Sequence, residues 1–167
     1  MRPVFITGTG TNVGKTLIAA IVTEALGADY WKPVQAGFAE GTDAEHIKQL
    51  LTNKVSVVHD ELYRLHTPAS PHIAARNDGI TIEAETILQT TKYIMGLANP
   101  KQLIIEGAGG LLVPLSGKLI VADLILQLHA LVILVRRNYL GSINHSLLTA
   151  AYCKSRNIDV LGWIFND

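Results

Sequence analysis

The sequence has 167 residues, 49% of them apolar and 17% charged, and its fourteen Lys and Arg balance its fourteen Asp and Glu. That length suits one globular domain, and the low charged fraction with a mean hydropathy of +0.28 excludes a disordered chain. Zero net charge gives no long-range attraction for a polyanion, so nucleic acid and an acidic membrane are poor partners and a small ligand is expected.

The single Cys153 has no partner for an internal disulfide, which reads as a reducing compartment. Thr7-Gly8 interrupts the first apolar run, so no signal peptide is evident. The most hydrophobic stretch, 119–135, is broken by Asp123, Gln127 and His129 and falls short of a membrane span. A cytoplasmic protein is the expectation.

In chain order, Pro3–Thr7 reads as a strand and Leu17–Leu26 as a helix with Ile18, Ile21 and Val22 at helical spacing, stopped by Gly27. Between them stands Gly8-Thr9-Gly10-Thr11-Asn12-Val13-Gly14-Lys15-Thr16, which has the composition of a phosphate-binding loop. Glycines permit positive φ and turn successive amides toward one point, the helix N-terminus adds partial positive charge, and Lys15 and Thr16 reach a phosphate and its Mg²⁺. Gly8 precedes Gly14 by six residues, one more than in the common form. The bland alternative is a helix entry capped near Thr16.

Asp29–Val34 reads as a second strand, 35–42 as a loop, and Thr42 or Asp43 as the cap of a helix through about Leu51. Residues 52–77, with Pro68 and Pro71 around Ala69-Ser70 and a short apolar Ile73-Ala74-Ala75 turn following, are the least regular and read as a functional or interface loop. Thr81–Leu97 is helical by pattern and ends at Asn99-Pro100. Gln102–Ile105 is a buried strand running into Glu106-Gly107-Ala108-Gly109-Gly110. Ile120–Leu128 reads as a helix, Leu131–Val135 as a strand, Ser142–Arg156 as a helix and Val160–Phe165 as a final strand. Strands alternating with helices predict an α/β fold with a doubly wound, mainly parallel sheet, and ligands collect at the carboxyl ends of such strands.

Lys32, Asp43 and Glu106 all fall at such ends or at a following helix start. With Thr16, the two carboxylates form a set of hard oxygens suited to Mg²⁺ beside phosphate. The alternatives are a solvated lysine for Lys32 and a helix cap for Asp43.

The loop, Lys32-Pro33-Val34-Gln35-Ala36-Gly37, Ser70-Pro71-His72, Glu106-Gly107-Ala108-Gly109-Gly110, Gly141-Ser142-Ile143-Asn144-His145 and Gly162-Trp163-Ile164-Phe165-Asn166 occur in this order. Together they resemble the dethiobiotin synthetase family of P-loop NTPases over the whole chain, and the wide loop spacing is that family's form. The resemblance implies ATP and Mg²⁺, with 7,8-diaminopelargonate and CO₂ as substrates. The diamine takes up CO₂ as a carbamate, the carbamate oxygen attacks the γ-phosphate, and the second amine closes the cyclic urea as phosphate leaves.

By the same resemblance Lys15 and Lys32 hold the γ-phosphate, Thr16, Asp43 and Glu106 hold Mg²⁺, and Asn12, Val13, Gly14, Lys15, Thr16, Leu17, Glu106, Gly107, Gly109 and Asn166 contact the nucleotide. Thr11 lines the diamine site. The substrate's far carboxylate is implied to lie on the Gly141, Ser142, Ile143, Asn144 turn of a partner subunit, making a homodimer with composite sites. Two positions depart from the family: Ala36 where many members carry serine, and Asn12 where some carry a carboxylate. Gln35 or Thr42 are possible substitutes for the lost contacts, and Arg136 and Arg137 read as surface cations.

The family also continues beyond the last residue of this sequence. The expectation is therefore a single P-loop domain, 1–167, without the family's C-terminal segment, whose base pocket is open on one side and discriminates poorly among nucleoside triphosphates. A partition-type ATPase switch and a small-molecule phosphotransferase share this fold class and stay open as alternatives.

Overall fold

A computed structural model describes residues 1–97 and 101–166; the helix stop expected at Asn99-Pro100 lies outside them. The apolar run after Pro3 forms β1 (Val4–Gly8), buried at every position. Gly8 leads into the loop, and α1 (Lys15–Leu26) follows, ended by Gly27 in the left-handed conformation at φ 56°. Ile18, Ala19, Ala20 and Thr23 are its buried face.

The second strand is shorter than its sequence suggests. β2 (Asp29–Trp31) stops before Lys32-Pro33, because a proline has no N–H to continue the ladder. The chain turns there, and Val34–Ala36 forms a separate strand, β3. Next comes α2 (Asp43–Leu50), entered through a capping box: Thr42 Oγ1 accepts from the Glu45 amide at 3.2 Å, and the Glu45 carboxylate accepts from the Thr42 amide at 2.8 Å.

The expected irregular stretch 52–77 contains regular structure. It holds β4 (Val58–His59), β5 (Tyr63–Leu65) and α3 (Pro71–Asn77). Here β5 pairs with β3 in a small parallel sheet, Val34 opposite Tyr63 and Ala36 opposite Leu65. The remaining elements are α4 (Ala84–Met95), β6 (Leu103–Gly110), the antiparallel pair β7 (Pro114–Ser116) and β8 (Leu119–Ile120), α5 (Val121–Gln127), β9 (Leu131–Arg137), α6 (Ser142–Ser155) and β10 (Val160–Asn166).

Six strands form the main sheet in the order β10-β9-β1-β6-β2-β4, all parallel. Side chains alternate between its faces. Val4, Ile6, Tyr30 and Ile104 join Ile18, Ala19 and Ile47 under α1 and α2. Phe5, Trp31, Leu103 and Ile105 join Ile87, Leu124 and Leu134 on the opposite face. Each fully buried Ile or Phe among them contributes about 1.5–3 kcal/mol of burial.

Register positions the site. In the parallel ladder Ile6 lies opposite Glu106, Gly8 opposite Gly110, and Trp31 opposite Ile105. Lys32, one residue past Trp31 at the end of β2, and Glu106, one past Ile105, therefore stand side by side next to the loop that follows β1; β6 does not stop at Ile105 as its sequence suggests but runs on through Glu106 to Gly110, paired with β1. Helix α6 begins at Ser142, shortly after β9 ends at Arg137, and buries only Ser142 and Cys153; Ile143, Leu147 and Leu148 are exposed.

Candidate active site

Left-handed backbone in the loop falls at Asn12 (φ 56°) and Gly14 (φ 91°), not at Gly8 or Gly10. Asparagine tolerates that region better than other side-chain-bearing residues, so Asn12 suits its place conformationally. Gly14 is the N-cap of α1 and makes no side-chain capping bond, so no capping side chain occupies the first helical amides, and Gly14, Lys15 and Thr16 border the cleft. The Lys15 ammonium donates to Gly10 O at 2.8 Å, folding the lysine back along the loop. Burial, with Lys32 adding to it and Glu106 opposing, lowers the Lys15 pKa to about 8.

Thr16, Asp43, Glu106 and Lys32 form one cluster. Thr16 Oγ1 lies 3.1 Å from Asp43 Oδ1 and 3.0 Å from Glu106 Oε1. Lys32 donates to Glu106 Oε1 at 3.2 Å and also to Asp43 Oδ2. Burial works against the Lys32 charge, but Glu106 and Asp43 outweigh it and the pKa is raised. For Asp43 burial likewise opposes ionisation, and Lys32 with Thr16 overcomes it to lower the pKa.

Two further residues position these carboxylates. Tyr30 Oη donates to Glu106 Oε2 at 2.8 Å. Burial first, and Glu106 second, raise the Tyr30 pKa well above its ordinary value, so the hydroxyl stays a donor. The Gln35 side chain accepts from the Asp43 amide at 3.2 Å and donates to Gly37 O at 2.8 Å, tying the start of α2 to the 36–42 loop.

The donor set fits Mg²⁺. Three hard oxygens from Thr16, Asp43 and Glu106 converge, and the Lys32 ammonium already lies on both carboxylates. Among the described residues no group of three or more His, Cys, Asp or Glu stands together. That sparseness suits an ion that keeps waters and phosphate oxygens in its shell, unlike Ca²⁺ or Zn²⁺ in an all-protein cage.

These residues face a cleft of about 860 Å³. Thr11, Asn12, Gly14, Lys15, Thr16, Lys32, Asp43, Glu106 and Gly109 line it, with Pro68–Pro71 and Val113 as the far wall. Ala36 also borders it, and Ser70 Oγ contacts His72 Nδ1 at 3.1 Å behind the wall. Val13 is buried beneath the loop, and its carbonyl accepts from Asn166 Nδ2 at 3.0 Å. Gly107 packs on Phe5, leaving no room for a side chain.

Other sequence candidates stand apart from the cleft. Leu17 is exposed on α1, and Gly141, Ser142, Ile143 and Asn144 form the N-terminus of α6 without lining the cleft. Arg137 is exposed as expected. Arg136 is not a free surface cation: its guanidinium lies 4.3 Å from the Phe165 ring centroid and donates to Ser142 Oγ at 3.2 Å. Tyr30 was absent from the sequence-derived site. Its one signal is period: Tyr30 and Lys32 are two apart and share a face.

A parallel α/β sheet with a glycine-rich loop at the end of its central β1, beside Lys, Thr and paired carboxylates, defines a P-loop nucleotide-binding protein. Residues 2–167 match a family described as an AAA domain. The chain is 52% identical over 162 residues to the ATP-dependent dethiobiotin synthetase BioD of Christiangramia forsetii, covering 97% of this chain and 74% of that protein. It is 54% identical over 167 residues to the enzyme of the same name from Cytophaga hutchinsonii, covering 99% and 77%, and 46% identical over 160 residues to that of Brucella ovis, covering 96% and 72%. The chain belongs to the dethiobiotin synthetase family. Its fold also resembles the kinase domain of Escherichia coli tyrosine kinase ETK, with a TM-score of 0.57 at 12% identity over 99% of this chain and 67% of that one; at that identity the likeness concerns the fold alone.

Proposed function

We propose that this chain catalyses the ATP-dependent formation of dethiobiotin from 7,8-diaminopelargonate and CO₂ in biotin synthesis. The observation that carries this reading is the Lys32–Asp43–Glu106–Thr16 cluster beside the loop, in a chain about half identical to named dethiobiotin synthetases. The loop amides from Asn12 to Leu17 and the Lys15 ammonium bind the nucleotide phosphates, and Lys32 faces the γ-phosphate. Thr16, Asp43 and Glu106 hold Mg²⁺, which when bound neutralises charge on the phosphate oxygens. Gly107, Gly109 and Asn166 border the nucleotide, and Thr11 lines the diamine site.

The protein's contribution is placement and fixed charge, since phosphoryl transfer needs little covalent help. The carbamate oxygen bonds to the γ-phosphorus as ADP leaves. The second amine then attacks the carbamoyl carbon, expelling phosphate and closing the ring. No helix among the described residues is long and apolar enough to cross a membrane. Separately, the one cysteine of the sequence is buried and unpaired, as suits a reducing compartment, and we place the reaction in the cytoplasm. Residues 1–167 act as one nucleotide-binding domain.

Turnover decides between this reading and its rivals. ATP hydrolysis should need both the diamine and bicarbonate; a phosphotransferase would dispense with bicarbonate, and a switch ATPase with both. Full hydrolysis with neither added would overturn the proposal.

The working unit is a homodimer whose Gly141–Asn144 turn completes the partner's diamine site. Supporting this, Ile143, Leu147 and Leu148 on α6 are exposed, and that turn stands apart from its own chain's cleft. Mixing an inactive Lys15→Ala protein with an inactive Asn144→Ala protein should restore part of the activity. No restoration in verified mixed dimers would exclude shared sites.

A further inference from the structure

We propose that Tyr30 is a positioning residue for divalent-cation binding: its hydroxyl fixes the Glu106 carboxylate so that Oε1 stays beside Thr16 and Asp43. The inference rests on the reading of Glu106 as a Mg²⁺ ligand and adds the residue that orients it. Glu106 is only 1% exposed, so each of its oxygens needs a partner within the protein. Oε1 has two, Thr16 Oγ1 at 3.0 Å and Lys32 Nζ at 3.2 Å. Oε2 receives the Tyr30 hydroxyl at 2.8 Å.

The terminal torsion of a glutamate is soft and nearly two-fold, so the carboxylate plane is set by whatever holds its two oxygens. Lys32 cannot do this alone, because its flexible ammonium is shared with Asp43. Tyr30 can. It is fully buried in the packed layer with Val4, Ile6 and Ile104, and both neighbouring strands clamp its backbone, Ile104 on one side and Val58 on the other. Its hydroxyl therefore has one position, and it donates to the oxygen turned away from Thr16. Metal ligands held by such an outer partner typically lose about 10–100-fold in metal affinity when the partner is removed.

The ordinary reading of a buried tyrosine is core packing, and Tyr30→Phe separates the two, since it keeps the ring and removes the donor. The probe is Mn²⁺ titrated with the non-hydrolysable analogue AMP-PNP, with free Mn²⁺ followed by electron paramagnetic resonance. Binding of AMP-PNP in EDTA is measured alongside by calorimetry. Tyr30→Phe should raise the apparent Mn²⁺ Kd by about tenfold or more and leave AMP-PNP binding in EDTA unchanged. Glu106→Gln should weaken Mn²⁺ binding at least as much. The double variant should match Glu106→Gln, because Tyr30 acts through that carboxylate.

Unchanged Mn²⁺ binding in Tyr30→Phe, with weakened binding in Glu106→Gln, overturns this proposal and leaves the metal reading standing. Unchanged binding in Glu106→Gln overturns both. Equal losses of AMP-PNP affinity with and without Mn²⁺ in Tyr30→Phe would make Tyr30 a packing residue only.

Discussion

Lys32→Ala is expected to lower turnover by about a hundredfold or more and to destabilise the fold, whereas Lys15→Ala should lower turnover by a similar factor without destabilising it. Both lysines lie beside the loop, so both lose a fixed positive charge where phosphoryl transfer develops negative charge. Their surroundings differ. The Lys32 side chain is 7% exposed and that of Glu106 1%, so removing the lysine strands a buried carboxylate at a cost of about 3–5 kcal/mol. Among the described residues the Lys15 ammonium has only the Gly10 carbonyl as its hydrogen-bond partner, and burial holds its pKa down to about 8. Folding thus disfavours the Lys15 charge, and deleting it relieves that cost. Steady-state turnover and thermal melting of the two variants test the contrast. Near-normal turnover in Lys32→Ala would make it a structural ion-pair residue, and equal melting shifts would refute the assigned difference in environment.

What the sequence revealed and what it concealed divide along physical lines. The β1–loop–α1 unit was legible because its signals are local: an apolar run, glycines, Lys15-Thr16, then helical spacing ending at Gly27. Lys32 and Asp43 were legible singly, as charged residues at a strand end and a helix start; Glu106 was expected at a strand end too, but β6 runs on past it to Gly110. Their contact was not legible, since it joins residues 11 and 74 apart in the chain: the Lys32–Glu106 pair depends on the β2–β6 register, and the Lys32–Asp43 pair on where α2 begins. The break at Lys32-Pro33 was overlooked because Val34 continues the apolar run, although Pro33 lacks the donor that the ladder requires. Residues 52–77 hid two strands, of two and three residues, too short to display a period. Beyond the period it shares with Lys32, nothing in the sequence sets Tyr30 apart within Asp29–Val34, and only its hydrogen bond to Glu106 distinguishes it. The loop's glycines were recognised correctly, but the reason assigned to them, positive φ, holds at Gly14 and fails at Gly8 and Gly10.

That distinction yields opposite outcomes for two glycines of one motif. Gly8 ends β1 between β6 and β9, opposite Gly110 on one side and Val135 on the other. A Cβ on Gly8 would stand 2.6 Å from Val13 Cγ2 and 2.8 Å from Val135 O. Neither neighbour is free to yield: Val13 is buried, and Val135 O accepts the Thr9 amide at 3.0 Å. Gly8→Ala must therefore push the start of the loop off the sheet. Overpacking of this kind costs about 1–3 kcal/mol, and a shift of about 1 Å in the phosphate-binding backbone is enough to cost on the order of a hundredfold in turnover. At Gly10 the same methyl would meet nothing within 4 Å, and its φ lies outside the left-handed region. Gly10→Ala should change stability by less than about 0.5 kcal/mol. Urea unfolding of both variants, read with turnover for Gly8→Ala, tests the account. Equal stability losses at the two positions would show that space at the β1–β9 junction is not what requires glycine at position 8.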